Sequence, residues 1–157
     1  MLFAVVLLLF PDSRLNSVMA QAKVPALVFK SALEDIQAQV RIPILLPSKL
    51  PAVIREKDIK LALGEIEQHG YSISLYYSEP GVEATFAAGF RGSTRIAHWS
   101  DARRVELSNG RTRFMPVSCG GSCAPANLWW QQNGVTYQIQ LKLKSSTAAK
   151  EQEKILA

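Results

Sequence analysis

The chain contains few of the residues that metal centres and redox sites require. It has two cysteines and two histidines among 157 residues. A structural zinc site needs about four ligands, and neither His69 nor His98 is placed to complete a set with the cysteines. Three residues separate Cys119 from Cys123, whereas thioredoxin-like redox sites have two between their cysteines. We therefore expect no metal ion and no cofactor.

Known catalytic signatures are also missing from the sequence. It has no glycine-rich phosphate loop, no H-E-x-x-H motif and no G-x-S-x-G nucleophile elbow. His98, Ser100 and Asp101 supply the residue types of a serine hydrolase, but such close spacing rarely gives the required geometry. These absences favour a non-catalytic binding or interaction module. The alternative is a hydrolytic enzyme whose site is assembled only by the fold.

No apolar stretch of the sequence is long enough to cross a bilayer as a helix. Residues 1–10 are almost pure hydrocarbon, but such a helix rises only about 15 Å, against a hydrocarbon core of about 30 Å. Ala20-Gln21-Ala22 follows, and it fits the small-x-small rule for signal-peptide cleavage. We predict that residues 1–22 are a cleaved export signal and that residues 23–157 form one periplasmic or extracellular domain. An uncleaved anchor and a buried helix are the alternatives.

Export would change the chemistry expected of the two cysteines. Disulfides form and persist in oxidising compartments outside the cytoplasm. We therefore predict a structural disulfide between Cys119 and Cys123, in the loop between two hairpins. Closing so small a ring stabilises the fold by about 2 kcal/mol on the chain-entropy model.

Basic residues outnumber acidic ones, and the excess is concentrated in one segment. The chain has a net charge of +5, and six arginines lie between Arg91 and Arg113, against only Asp101 and Glu106. This excess favours an anionic partner in the cell envelope, with a solvated basic face as the alternative. Export argues against nucleic acid. The arginines that we predict to bind are Arg91, Arg95, Arg103 and Arg104.

Hydrophobic periodicity predicts an α+β fold. Apolar residues at spacings of four, three and four predict a helix over residues 26–40, and Pro43 prevents its continuation. From Ile59 onward the period changes to two, which is typical of strands with one wet face. A second helix is predicted over residues 148–157. We expect an antiparallel meander sheet of five to seven strands, with the N-terminal and C-terminal helices packed on one face.

One strand is predicted over residues 82–90, because alternation places four apolar residues on one face: Ala84, Phe86, Ala88 and Phe90. Residues 91–103 give no clear periodicity. We expect a loop there.

Two Asn-Gly pairs predict two hairpins with type I′ turns, which need two residues that tolerate positive φ. With residues 109–110 as the first turn, Glu106 faces Arg113 and Val105 faces Phe114. With residues 133–134 as the second turn, the strands pair through residues 128–132 and 135–139.

The second hairpin also separates two adjacent tryptophans. Trp130 shares a face with Tyr137 and is predicted to lie in the core. Trp129 then points to the opposite face, beside Gln131, Gln138 and Gln140. An aromatic plane with amide donors and acceptors is typical of a carbohydrate or peptide platform. The alternative is that a helix or a loop covers this face and buries Trp129.

Residues 44–157 also contain three structural motifs: Leu46-Pro47-Ser48-x-Leu50-Pro51, Tyr71-x-Ile73-x-Leu75, and Trp130-x-x-x-Gly134-x-x-Tyr137-x-Ile139 before a terminal helix. Together they resemble a pattern found in bacterial exported or membrane-anchored domains of unknown function. The resemblance implies an extracytoplasmic α+β domain. It carries over no active-site residues.

Overall fold

The fold was obtained as a computed structural model, which describes residues 25–78, 85–95, 101–107, 110–120, 122–144 and 146–156. It confirms the α+β class, with a seven-stranded antiparallel sheet, one N-terminal helix and one C-terminal helix. The predicted export signal, residues 1–22, lies outside the described residues. Within the described ranges, no helix has the length and apolar character needed to span a membrane.

The strands of the main sheet are β1 (Leu61–Glu67), β2 (Gly70–Tyr76), β3 (Phe86–Ser93), β4 (Arg103–Leu107), β5 (Gly110–Met115), β8 (Ala126–Gln132) and β9 (Val135–Leu141). Two short strands, β6 (Ser118–Cys119) and β7 (Cys123–Ala124), form a separate pair. The helices are α1 (Lys30–Ile36), which ends earlier than predicted, and α2 (Ala149–Leu156). Short 3₁₀ turns at Leu27–Phe29 and Glu56–Asp58 precede α1 and β1.

The spatial order of the main sheet is β1-β2-β3-β9-β8-β5-β4. The chain therefore leaves β3, forms the far edge with the β4–β5 hairpin, and returns through the β8–β9 hairpin. As a result β9 lies between β3 and β8 and joins the two halves of the sheet.

Side-chain alternation gives this sheet two different faces. The helix-covered face carries Tyr71, Ile73 and Leu75 of β2, all fully buried. On this face Phe29, just before α1, meets Phe90 edge to face, with ring centroids 5.1 Å apart. The opposite face, here called the polar face, carries Ser72, Ser74, Gly89, Arg91, Gln138 and Gln140, by register.

Two tyrosines attach the proline-rich connector to the helix-covered face. The Leu45 backbone N–H donates to the Tyr71 hydroxyl at 2.9 Å, and the Tyr137 hydroxyl donates to the Pro43 carbonyl at 3.1 Å. Burial raises the pKa of Tyr71 and of Tyr137 above the ordinary value. Gly92 leaves room for both rings, because a Cβ at this position would lie 2.5 Å from Cε1 of Tyr71.

The β8–β9 hairpin has the predicted register, with Trp130 opposite Tyr137 and Gln132 opposite Val135. Its turn residues have positive φ, 51° at Asn133 and 76° at Gly134. These angles match the type I′ geometry that the Asn-Gly pair favours.

The predicted register of the β4–β5 hairpin is wrong by two residues. Leu107 pairs with Gly110 and Val105 with Thr112. Residues 108–109 lie outside the described residues. A slip of two residues keeps every side chain on its face, so alternation alone cannot reveal it. The observed register buries Thr112, whose hydroxyl donates to the Val105 carbonyl at 2.9 Å.

Strand β3 contains a bulge that the sequence did not reveal. Leu75 pairs with Ala88, but Tyr76 pairs with Phe86, so Ala87 is the extra residue. Phe86 therefore lies on the polar face instead of beside Phe90. The strand also continues to Ser93, into the segment predicted as a loop.

The disulfide between Cys119 and Cys123 is present and links β6 to β7. The Lys142 ammonium donates to the Cys123 carbonyl at 3.1 Å, which ties this small hairpin to the chain just after β9.

A candidate binding groove on the polar face

The centre of the polar face forms a concavity of about 290 Å³, here called the groove. Its side chains are hydroxyls, amides and one ion pair, carried by Glu67, Ser72, Ser74, Arg91, Gln138 and Gln140 around the bare backbone of Gly89. These residues come from β1, β2, β3 and β9, so the floor of the groove is the hydrogen-bonded sheet itself. A site built on strands holds its side chains in fixed positions.

The floor consists of two rows across the strands. Ser72, Arg91 and Gln138 are cross-strand neighbours in one row, and Ser74, Gly89 and Gln140 form the next. A Cβ at Gly89 would lie 3.2 Å from Oε1 of Gln140 and 3.3 Å from Cζ of Phe86. The ends of these two side chains therefore approach the backbone where Gly89 has no side chain.

A chain of hydrogen bonds orients the amide of Gln138. Its Nε2 donates to Oδ1 of Asn127 at 2.7 Å, and Nδ2 of Asn127 donates to the Pro125 carbonyl at 2.7 Å. Asn127 is buried, so this partner is held in one geometry. The amide of Gln138 is therefore held in a fixed orientation at the floor of the groove.

The charged groups of the groove neutralise each other. Nε of Arg91 donates to Oε2 of Glu67 at 2.8 Å, and Nη2 of Arg91 contacts the same oxygen. The groove therefore has planar hydrogen-bonding groups but no net charge. This arrangement selects against a strongly anionic ligand at this position.

Two aromatic rings lie at the Gly89 end of the groove. Tyr76 and Phe86 pack edge to face, with ring centroids 6.0 Å apart. The bulge at Ala87 is what turns Phe86 toward Gly89. Alternation in the sequence could have indicated Ser72 and Ser74, whereas nothing in it signals the bulge.

The structure brings together three of the predicted binding residues, Arg91, Gln138 and Gln140, in this groove. Trp129 lies opposite Gln138 in the same row but is only 7% exposed. Of the two interpretations of Trp129, the buried one is therefore the one that the structure shows, and its ring is not an exposed platform.

The predicted arginine cluster is divided between the two faces. Arg103 lies over the Phe114 ring at 5.0 Å and forms an ion pair with Glu153 of α2. Arg104 is on the polar face, opposite Arg113. The expected pairing of Glu106 with Arg113 is therefore wrong: Glu106 is opposite Arg111.

The other members of the arginine segment are separate from the groove. Arg113 donates to the Ala102 carbonyl at 3.1 Å. The exposed Arg95 follows β3, and its backbone N–H donates to Oγ of Ser93 at 3.1 Å. Binding by Arg95, Arg103 and Arg104 stays a prediction.

In the described ranges, no group of three or more His, Cys, Asp or Glu side chains could hold a metal ion. His98 and Ser100 lie outside those ranges. Comparisons with family models, curated proteins and solved structures found no match to this chain.

Proposed function

We propose that this protein is an exported, non-catalytic binding domain of the cell envelope that holds a neutral glycan in the groove. The chemical character of the groove carries the proposal. Hydroxyls and amides line its floor, the Arg91–Glu67 pair adds no net charge, and the Phe86 ring lies at one end.

These groups match the chemistry of a sugar ring. Amides and hydroxyls both donate and accept hydrogen bonds, as sugar hydroxyls do. An aromatic ring offers an apolar surface to the C–H groups of the sugar. A peptide is less well suited, because peptide recognition relies on a free strand edge or on apolar pockets, and the groove has a polar floor inside the sheet.

The compartment is supported by separate features of the chain. The disulfide between Cys119 and Cys123 fits an oxidising environment. The apolar residues 1–10 and the Ala-x-Ala sequence support export, and the resemblance to bacterial exported domains agrees with it.

The neutral-glycan proposal is tested by titrating the protein with soluble cello- and chito-hexasaccharides and following backbone amide signals by NMR. We expect saturable shifts at Ser74, Gly89 and Gln140. Gln140→Ala should weaken binding by about tenfold, the loss of one to two hydrogen bonds. Gln131→Ala is the matched control, because Gln131 is an exposed glutamine of the same β8–β9 hairpin that does not line the groove. Equal effects of the two substitutions, or no saturable shift, would contradict the proposal.

A second candidate function is the binding of an anionic envelope polymer at the far edge of the polar face, away from the groove. The specific observation is that Arg104 lies directly opposite Arg113, and like charges at such positions are destabilising. An anion would relieve that repulsion. Dextran sulfate should then bind in a salt-sensitive manner that Arg104→Gln weakens, whereas uncharged dextran serves as the control polymer.

A further inference from the structure

A second concavity, of about 500 Å³, lies at the end of the β1–β2 pair remote from its hairpin turn. It is lined by Val53, Arg55, Asp58, Lys60 and Tyr77 and is here called the edge pocket. None of these residues belongs to the groove. A ligand of the edge pocket would therefore be bound independently of a glycan.

Backbone hydrogen bonding brings Lys60 close to the end of β2, next to Tyr77. Leu61 pairs with Tyr76, and the Lys60 N–H donates to the Tyr76 carbonyl at 2.9 Å. Tyr77 directly follows Tyr76, and both Lys60 and Tyr77 line the edge pocket, so the ammonium and the hydroxyl can contact one ligand group.

The charges of the edge pocket do not balance. Nε of Arg55 and Oδ2 of Asp58 are 2.6 Å apart, so this carboxylate is already neutralised. Lys60 is exposed and has no ion-pair partner within the described part of the chain. Among the described residues of the pocket one positive charge is therefore unbalanced, which matches a ligand with one negative charge.

The Tyr77 hydroxyl is suited to donate a hydrogen bond to such a ligand. Burial raises the pKa of Tyr77, Asp58 raises it further, and Arg55 lowers it. The hydroxyl thus keeps its proton at neutral pH. Asp58 and Arg55 line the same pocket as the phenol.

One wall of the edge pocket is apolar. Val53 is 49% exposed and is one of the three large hydrophobic residues exposed in the described chain. Together with the Tyr77 ring it offers an apolar surface next to the cationic group. Its volume lies within the range of about 300–1,000 Å³ that is typical of small-molecule sites.

We propose that the edge pocket binds a small organic carboxylate. Lys60, Tyr77 and the free N–H groups of Arg55 hold the carboxylate, and the apolar part of the ligand contacts Val53. Neither the groove nor the predicted arginine segment takes part.

Benzoate tests this proposal, with benzamide as an uncharged ligand of nearly the same shape. In an NMR titration at constant ionic strength, benzoate should shift the amide signals of Lys60 and Tyr77 saturably. Its affinity should exceed that of benzamide by at least fivefold.

Lys60→Gln should weaken benzoate binding by at least fivefold, whereas Lys57→Gln should change it by less than twofold. Lys57→Gln is the matched control, because it removes the same charge. Lys57 is exposed and lies in the adjacent 3₁₀ turn, but it does not line the pocket. Gln140→Ala, in the groove, should have no effect. Equal binding of benzoate and benzamide would overturn the proposal, as would equal losses from the two lysine substitutions.

Discussion

Strand β3 carries two glycines that face opposite sides of the sheet, and their surroundings show how the two faces differ. A Cβ at Gly92, on the helix-covered face, would lie 2.5 Å from the Tyr71 ring and 3.2 Å from the Tyr137 ring. A Cβ at Gly89, on the polar face, would meet only the ends of Gln140 and Phe86, at 3.2 Å and 3.3 Å. The helix-covered face is closely packed around this strand, whereas on the polar face the nearest atoms are the ends of side chains. Residues of the polar face can therefore change with less loss of stability.

The largest loss of stability should come from replacing Trp129, a large side chain that is buried although it lies on the polar face. Trp129 faces the polar side but is buried, so Trp129→Ala should destabilise by about 3–5 kcal/mol. Trp130→Ala should cost less, because Trp130 is only half-buried on the helix-covered face, stacked on Tyr137. Urea unfolding measures both free energies. A larger loss for Trp130→Ala would mean that the polar face is not packed around Trp129.

Alanine substitutions at Gly92 and Gly89 compare the packing of the two faces directly. Gly92→Ala should destabilise by about 3 kcal/mol, because the new methyl group overlaps a ring that cannot move without releasing the connector. Gly89→Ala should cost less than about 1 kcal/mol, since flexible side-chain ends can shift. The midpoints of urea unfolding give the difference. Similar losses at the two positions would show that both faces are equally close-packed.

Alkaline pH should weaken the helix-covered face selectively. Burial raises the pKa of Tyr71 above its ordinary value of 10.0. Below pH 10 the Tyr71 hydroxyl keeps its proton in both the folded and the unfolded protein. Above pH 10 the unfolded chain loses this proton first, so the free energy of unfolding falls as the pH rises.

The slope contributed by Tyr71 should approach 1.4 kcal/mol per pH unit, roughly the maximum for one group. Unfolding free energies measured from pH 8 to pH 11 test this expectation. Tyr71→Phe should reduce the slope, although it also removes the acceptor of the Leu45 N–H. An unchanged slope would mean that Tyr71 is not responsible.

The smallest difference in stability is expected between the substitutions of two adjacent arginines, Arg103 and Arg104. Arg103→Gln should destabilise by about 0.5–1 kcal/mol, through loss of its contact with Phe114 and its ion pair with α2. Arg104→Gln should be neutral or slightly stabilising, because it removes a like charge opposite Arg113. Thermal unfolding compares the two at equal net charge. A greater loss for Arg104→Gln would contradict the assignment of faces.

The sequence predicted local features better than tertiary ones. The β8–β9 register follows from one turn whose residues, Asn133 and Gly134, accept positive φ. The β4–β5 register was missed because a slip of two residues leaves each face unchanged. The fate of Trp129 depended on what packs over it, which alternation along a strand does not encode.

The sequence predicted part of the candidate groove as well. Alternation along β9 placed Gln138 and Gln140 on one face, and the structure added Arg91 beside them. The contribution of Phe86 depends on a bulge, and the neutralisation of Arg91 depends on Glu67, 24 residues earlier in the chain. Both are contacts between strands, which periodicity within one strand does not report.

The position of β9 has a consequence for the order of folding. Residues 135–141 complete the sheet, since β1–β3 on one side and β8, β5 and β4 on the other are joined through β9. The Tyr137 hydroxyl also reaches Pro43, a separation of 94 residues. Neither half can complete its hydrogen bonding until most of the chain has been synthesised, and such non-local pairing slows folding. We therefore expect the domain to fold and unfold in one cooperative transition that includes β9.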